Sequence, residues 1–406
     1  KRLDYILFAI AQQNFIDKIQ CEDKSCFKDV NIIHKPAGEN DPYISRNYER
    51  YPRYPETNDS VYLKMHTQPF NLYQSAFVRL KVNGKEQPRI MMNIKTAPDG
   101  EKYWEACIGK FNFNDKVDYV FEVYFGDKKA ESQVFSFTVR QWFSLKEIEH
   151  IDYSTDEMKI LFKPIRNLKQ IPCLHISKNG KDSIRFSFSV EQREKLYHSI
   201  NIIGKANIKI FSFQLGKSNF VFNGDDMWFE ILGKKNNRIL GSYKSDNIKL
   251  LDLLLDGNGN VHEVRFNFLL EDKERIFGMG ERFSHIEYRG LEVDNCVYDK
   301  YTDHGLKTYL PVPLFISSNG YGIFFDTTTY LKCRFGTVLP DLTDVEVNID
   351  SSKQSMDFYI FTGKPKDIVQ KYTSMTGKPA LPPKWCFGLW MSSNSWNSQK
   401  DIDEQV

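Results

Sequence analysis

Charge of one sign is what this chain lacks most: 55 Lys and Arg stand against 53 Asp and Glu over 406 residues, leaving a net charge of +2. A near-neutral surface offers no field that would gather nucleic acid or an acidic membrane, so neither is expected as a partner. Long apolar runs are missing too, and the stretch Tyr5 to Ala11 is too short to span a bilayer. The eight histidines are scattered. None stands at ligand spacing from a Cys or an acidic residue, so no metal or other cofactor is expected. Seven cysteines at positions 21, 26, 107, 173, 296, 333 and 386 are odd in number and irregular in spacing, which does not read as a disulfide framework. Cys21 and Cys26 lack the second pair that would complete a metal site. Reduced thiols favour the cytoplasm over secretion, while a first residue that is not Met leaves a removed leader open. No Gly-x-Ser-x-Gly nucleophile elbow is present.

What the chain has is aromatic side chains, 14% of the total with 31 Phe and 21 Tyr. Flat and branched side chains pack well on a pleated surface, which favours strands. Residues 1–58 read as an irregular lead-in with a short helix over the first 20. From Ser60 the pattern becomes short alternating runs, at 60–65, 76–82, 90–94, 103–108, 117–125 and 134–139, separated by turn signals such as Val82-Asn-Gly-Lys85 and Pro98-Asp-Gly100. Strands at this spacing predict an immunoglobulin-like or fibronectin type III-like sandwich over 59–145. A second β-rich region over 146–381 holds too many runs for a small sandwich, among them 158–162, 184–190, 208–213, 228–232, 264–270, 322–325 and 356–361. A large two-sheet sandwich fits that length.

The alternation then gives way to a helix from Pro365, with Ile368, Val369, Tyr372 and Met375 on one face and Gly377 and Pro379 to stop it. Trp385 to Met391 is a continuous apolar run of the kind expected for a parallel strand buried on both faces. Ser398, three residues before Asp401, predicts a cap opening another helix, whose first turns would hold Asp401, Asp403 and Glu404 for structural reasons.

Four segments occur in a fixed order: Phe277-Gly-Met-Gly-Glu-Arg-Phe283, Tyr309-Leu-Pro-Val-Pro-Leu-Phe315, Asn319-Gly-Tyr-Gly-Ile323 and Lys378-Pro-Ala-Leu-Pro-Pro-Lys-Trp-Cys-Phe-Gly-Leu-Trp390. Together they resemble the region of glycoside hydrolase family 31 in which a β-sandwich hands over to a (β/α)8 catalytic barrel. A mainly β chain is thus expected: the immunoglobulin-like sandwich, which the family does not require, and then, as the resemblance implies, a large galactose-mutarotase-like β-sandwich and over 382–406 the first strand and helix start of the barrel. Such a barrel needs about 250 residues, far more than follow Pro382. The implied activity is that of a retaining α-glycosidase acting on α-linked glucosides or oligosaccharides, with an α-glucosyltransferase or α-xylosidase of the same family as alternatives. A non-catalytic glycan-binding sandwich protein is the competing class.

In this family the catalytic carboxylates lie on later barrel strands. The resemblance therefore implies that this chain carries no catalytic residue and is inactive without the remainder of the barrel. It implies instead a loop, within Gly290–Gly305, that reaches over the barrel mouth and hydrogen-bonds sugar hydroxyls through an Asp. Carboxylates suit that task because each oxygen accepts two hydrogen bonds. Asp299 falls nearest the family position, a gap would bring Asp303 there, and Asp294 is the third candidate. Trp390, Asn394 and Trp396 follow the expected barrel strand, where active-site residues gather, and a Trp face is a natural platform for sugar C–H groups. Core packing is the alternative for Trp390, and cap packing for Trp396. Gly278-Met-Gly-Glu-Arg282 lacks the third glycine of a nucleotide loop; a structural role is expected, with Glu281 and Arg282 paired.

Overall fold

The computed structural model describes residues 30–40, 45–46, 49–98, 100–165, 168–192, 210–298, 305–349, 354–390 and 398–405. The helix expected within the first 20 residues lies outside them.

Alternation along each strand builds the first unit. In Val61–Gln68 the side chains of Val61, Leu63 and Met65 are buried while those between them face outward, as a period of two requires. One sheet runs in the order Asn31–Ile33, Val61–Gln68, Lys102–Gly109, Asn93–Thr96, with Arg50–Tyr51 also paired to Val61–Gln68. The other runs Lys128–Glu131, Lys116–Phe125, Ser75–Val82, Lys85–Glu86, with Phe135–Thr138 and Ile90–Met91 paired alongside. Between them Val78, Trp104, Tyr119 and Phe121 form a closed core. Residues 31–51 thus contribute strands where the sequence suggests an irregular lead-in. The edge of Val61–Gln68 supplies the reason, since Asn31–Ile33 takes up its backbone groups in the register Ile33 to His66.

The second unit is larger. A six-stranded antiparallel sheet runs Gln141–Ser144, Leu251–Leu255, Val261–Leu269, Leu342–Asn348, Leu331–Phe335, Glu292–Asn295. An eight-stranded one runs Ile148–Tyr153, Glu157–Phe162, Ile171–Lys178, Ser183–Glu191, Ser355–Thr362, Tyr321–Asp326, Leu314–Ser317, Ile276–Gly278. Four further strands, Ile210–Leu215, Ser218–Asn223, Trp228–Leu232 and Arg238–Gly241, form a separate sheet. Phenylalanines from all three meet: Phe186 stacks on Phe358 at 4.6 Å, Phe266 meets Phe358 edge-on at 4.7 Å, and Phe186 lies 5.2 Å from Phe229. Each such ring, fully buried, contributes about 1.5–3 kcal/mol relative to an exposed one.

Helix Pro365–Thr376 begins with Pro at its first turn and ends at Gly377, whose φ of 107° suits glycine. Its packing face is narrower than the sequence suggests. Ile368 is buried against Gly322, and Tyr372 meets Phe324 edge-on at 5.0 Å, but Val369 and Met375 are exposed. The helix covers only the ends of Leu314–Ser317, Tyr321–Asp326 and Ser355–Thr362, so a single row of apolar side chains is enough.

The barrel strand is a correction. Lys384–Phe387 forms a short 3-10 turn rather than a strand, and Trp385, Phe387, Leu389 and Trp390 are all exposed; Met391 lies outside the described residues. An isolated parallel strand leaves its backbone donors and acceptors unmet, and among the described residues no neighbour pairs with it. A turn satisfies them locally, through Cys386 N to Pro383 O and Gly388 N to Trp385 O, both 3.0 Å. Helix Gln399–Gln405 follows. Ser398 and Asp401 cap it reciprocally, at 3.0 Å from Ser398 N to Asp401 Oδ2 and 3.2 Å from Asp401 N to Ser398 Oγ.

Candidate functional site

The site grows from one strained turn. Gly278, Met279 and Gly280 have successive φ values of 109°, 62° and 92°, a left-handed run that only glycine tolerates freely. A Cβ on Gly280 would lie 2.1 Å from the Leu310 carbonyl oxygen and one on Gly278 2.6 Å from that of Leu314, so this turn runs directly beneath Leu310–Leu314. Met279, the residue between them, is held in its unusual conformation by complete burial and by its N–H donating to Leu314 O at 2.8 Å.

The turn delivers Arg282 into a half-buried position. Its Nε donates to Met279 O at 3.2 Å, and its Nη2 to Asp294 O at 3.0 Å and to Asn295 Oδ1 at 3.1 Å, while Nη1 donates to Leu306 O. Burial pushes the Arg282 pKa down from its ordinary value, but a guanidinium remains charged, and its planar fork reaches several acceptors at once. Arg282 therefore ties three backbone segments together instead of pairing with Glu281, as the sequence suggests. The acceptors outcompete Glu281 because they are buried carbonyls that need donors.

Two of those segments are the stems of the loop that carries the candidate carboxylates. On one side Glu292–Asn295 is a strand, followed by Val297 and Tyr298; on the other lie Leu306, Lys307 and Thr308. Val297 and Thr308 form a parallel bridge, Tyr298 N donates to Thr308 O at 2.9 Å, and the Lys307 ammonium sits 4.3 Å from the centre of the Tyr298 ring. The Thr308 hydroxyl donates to Glu281 O and accepts from Leu310 N at 3.1 Å, joining the loop base to the strained turn.

Asp299 and Asp303 belong to residues 299–304, outside the described residues, as do Asn394 and Trp396. Asp294 is engaged already, since its carboxylate accepts the Tyr330 hydroxyl. Trp390 is not core: it is 66% exposed, its ring lies 5.6 Å from that of Trp385, and its Nε1 donates to Cys386 O at 2.9 Å. Phe283, Ile286, Tyr309 and Leu310 are likewise exposed near the loop base. Sequence reasoning missed Arg282 as the tie, together with Asn295 and Thr308. No local signal marks them, because their partners are 12 to 27 positions away in the chain.

Comparison with known proteins fits this geometry to a family. A family model described as the glycosyl hydrolase 31 N-terminal galactose mutarotase-like domain matches residues 205–333, and one described as Lmo2446-like, N-terminal matches residues 33–104. The chain is 29% identical over 385 residues to an isomaltosyltransferase of Sporosarcina globispora, covering 92% of this chain and 35% of that protein. It is 34% identical over 139 residues to the α-xylosidase XylQ of Lactiplantibacillus pentosus, covering 33% of this chain and 18% of that protein. The solved cycloalternan-forming enzyme from Listeria monocytogenes, in complex with a pentasaccharide substrate, superimposes with a TM-score of 0.68 at 26% identity, over 92% of this chain and 36% of that one. The chain thus spans about a third or less of the length of each of these relatives. With the sandwich and the ordered motifs along its edge, residues 205–333 of this chain carry the N-terminal galactose mutarotase-like domain of glycosyl hydrolase 31.

Proposed function

We propose that this chain is the N-terminal, substrate-engaging part of a retaining enzyme that acts on α-linked glucosides or oligosaccharides, with the catalytic carboxylate pair on a (β/α)8 barrel. Retaining chemistry needs two carboxyl groups about 5–5.5 Å apart, one to attack the anomeric carbon and one to protonate the leaving oxygen. Neither is assigned here, so this chain's part is to hold the sugar. Asp299 or Asp303 accepts hydrogen bonds from sugar hydroxyls, and Trp390, Asn394 and Trp396 line the mouth of the pocket.

The observation that carries this reading is the double anchoring of the loop base by Arg282 and Thr308. An acceptor that must meet two adjacent hydroxyls has to be held to within about half an ångström, which calls for a rigid base. Transfer of a glycosyl unit is favoured over hydrolysis alone, because the likeness to an isomaltosyltransferase extends over both sandwiches, 92% of the chain, whereas that to the α-xylosidase covers 33%.

Kinetics of the complete enzyme test the loop. Asp299→Ala or Asp303→Ala should lower kcat/KM about ten- to a hundredfold, as expected for losing a charged acceptor worth about 1.5–3 kcal/mol, and Asp294→Ala far less. Near-wild-type kinetics for both loop variants would remove the loop from the site. Product analysis on an isomaltosyl-terminated oligosaccharide separates transfer from hydrolysis, and the 406-residue polypeptide alone should release no product.

A further inference from the structure

The hairpin Leu314–Ser317 to Tyr321–Asp326 turns at the end of the sheet opposite to the strained Gly278 turn, which lies beside Leu310–Leu314. At that opposite end a cleft of about 960 Å3 opens between helix Pro365–Thr376 and several surface turns, a volume that suits a ligand of a few sugar units.

Separate segments each bring a lysine to its wall: Lys181, Lys217, Lys234 and Lys364, with Lys371 from the helix. Two carboxylates share the lining, and both are occupied. Asp182 lies 3.7 Å from the Lys371 ammonium, which also donates to Thr362 O at 2.6 Å, and Asp367 accepts the Lys364 N–H at 3.3 Å where the helix begins. Among the described residues no carboxylate pairs with Lys181, Lys217, Lys234 or Lys364. Five lysines against two aspartates leave the lining with a net charge of +3, and ammonium groups gathered around one concavity repel one another, an arrangement that an anion relieves.

The cleft is also built rather than incidental. Thr362 N donates to Asp182 O at 3.0 Å and Gly363 N to Gly320 O at 2.9 Å, which joins the turns to the helix start. Gly216, at φ 58°, leaves room for the Asp182 carboxylate, which would lie 1.6 Å from a Cβ there. Between the lysines stand neutral hydrogen-bonding groups: Asn179, Asn237, Asn319, Gln370 and Ser374. The only aromatic residue among the described lining is Phe361, which is buried. That argues against single-stranded nucleic acid, which stacks its bases on aromatic faces, and the concave shape does not match a flat membrane.

We propose that this cleft binds an acidic oligosaccharide, with the lysines meeting its carboxylates or phosphates and the asparagines its hydroxyls. Calorimetry on the chain tests it with four probes: trigalacturonate, phosphorylated maltotriose, neutral isomaltotriose and inorganic phosphate. At least one acidic sugar should bind, more weakly as salt rises. A Lys181→Ala/Lys217→Ala/Lys234→Ala variant should lose about tenfold or more in affinity, given a modest contribution from each exposed charge. A Lys95→Ala/Lys102→Ala/Lys110→Ala variant, with the same change of charge on the first sandwich, should lose nothing. The targeted lysines are exposed, so unchanged melting of both variants checks the fold. Failure of both acidic sugars to bind, equal binding of isomaltotriose or of phosphate alone, or an equal loss in the control variant would each overturn the proposal.

Discussion

Arg282 is a small example of how one side chain replaces many local instructions. Its donors reach carbonyls on three segments at once. Arg282→Met should keep much of the packing volume yet leave buried carbonyls unmet, at a cost of about 2–3 kcal/mol. In the complete enzyme it should lower kcat/KM although Arg282 is not placed on the sugar, and Arg282→Lys should restore stability better than activity, because an ammonium cannot span the same fork. Unchanged melting of the Met variant would contradict the tie. His34 carries a second residue-scale prediction. It is buried, with Nδ1 2.6 Å from Lys64 O and Nε2 2.9 Å from the Tyr119 hydroxyl, and burial lowers its pKa from 6.5 to about 4 despite the nearby Glu49. The unfolded chain then binds a proton that the folded one refuses. Stability is present above pH 6.5 and is lost as pH falls toward about 4, by at most about 1.4 kcal/mol per pH unit. His34→Gln, which does not titrate, should flatten that part of the pH–melting curve for the first sandwich. A curve as steep as the parent's would exclude His34 as the cause.

At the scale of elements, alternation served well for long strands paired within the chain. The run read at 228–232 is the strand Trp228–Leu232, and that at 117–125 is Lys116–Phe125. Composition served badly at Trp385–Met391, because an apolar run states that a segment needs covering but not by what. Its exposed Trp385, Phe387, Leu389 and Trp390 are of the kind that a neighbouring element covers. Hydrogen exchange follows from this. In the 406-residue polypeptide, amides 385–390 should exchange within seconds while those of Ser355–Thr362, paired on both sides, are protected. Protection of 385–390 should appear only where another element covers them. Strong protection in a monomeric, partner-free sample would mean that the segment is covered from within this chain.

Across the whole molecule, the two sandwiches meet through a charged seam. Glu56 and Arg140 form a parallel bridge and Phe113 of the first unit meets Phe143 of the second edge-on at 5.4 Å, while on the second unit's side the Arg265 guanidinium lies 3.8 Å from the centre of the Trp142 ring. Glu263 faces this seam, and burial, with Glu346 and Glu56 close by, pushes its carboxyl up from 4.5 to about 7. The folded chain keeps a proton that the unfolded one releases, so this residue's contribution is fully present below pH 4.5 and is lost as pH rises through about 7. Glu263→Gln should therefore gain about 1–3 kcal/mol over the parent above pH 7 and nothing below pH 4.5; equal melting at both ends would show that the seam does not crowd this carboxyl. None of the seam could be read in advance, since Glu56, Arg140, Glu263 and Glu346 meet only when the sheets are in register. The sequence by itself determined strands such as Lys116–Phe125 and Trp228–Leu232, the helix from Pro365, the cap at Ser398 and the resemblance to the family, because alternation, turn residues and ordered motifs are local. Only the tertiary structure decided which donors hold the loop base, which carboxyls are crowded, and where an apolar run has no cover. Those are contacts between distant positions, and they exist only when packing has brought both partners together.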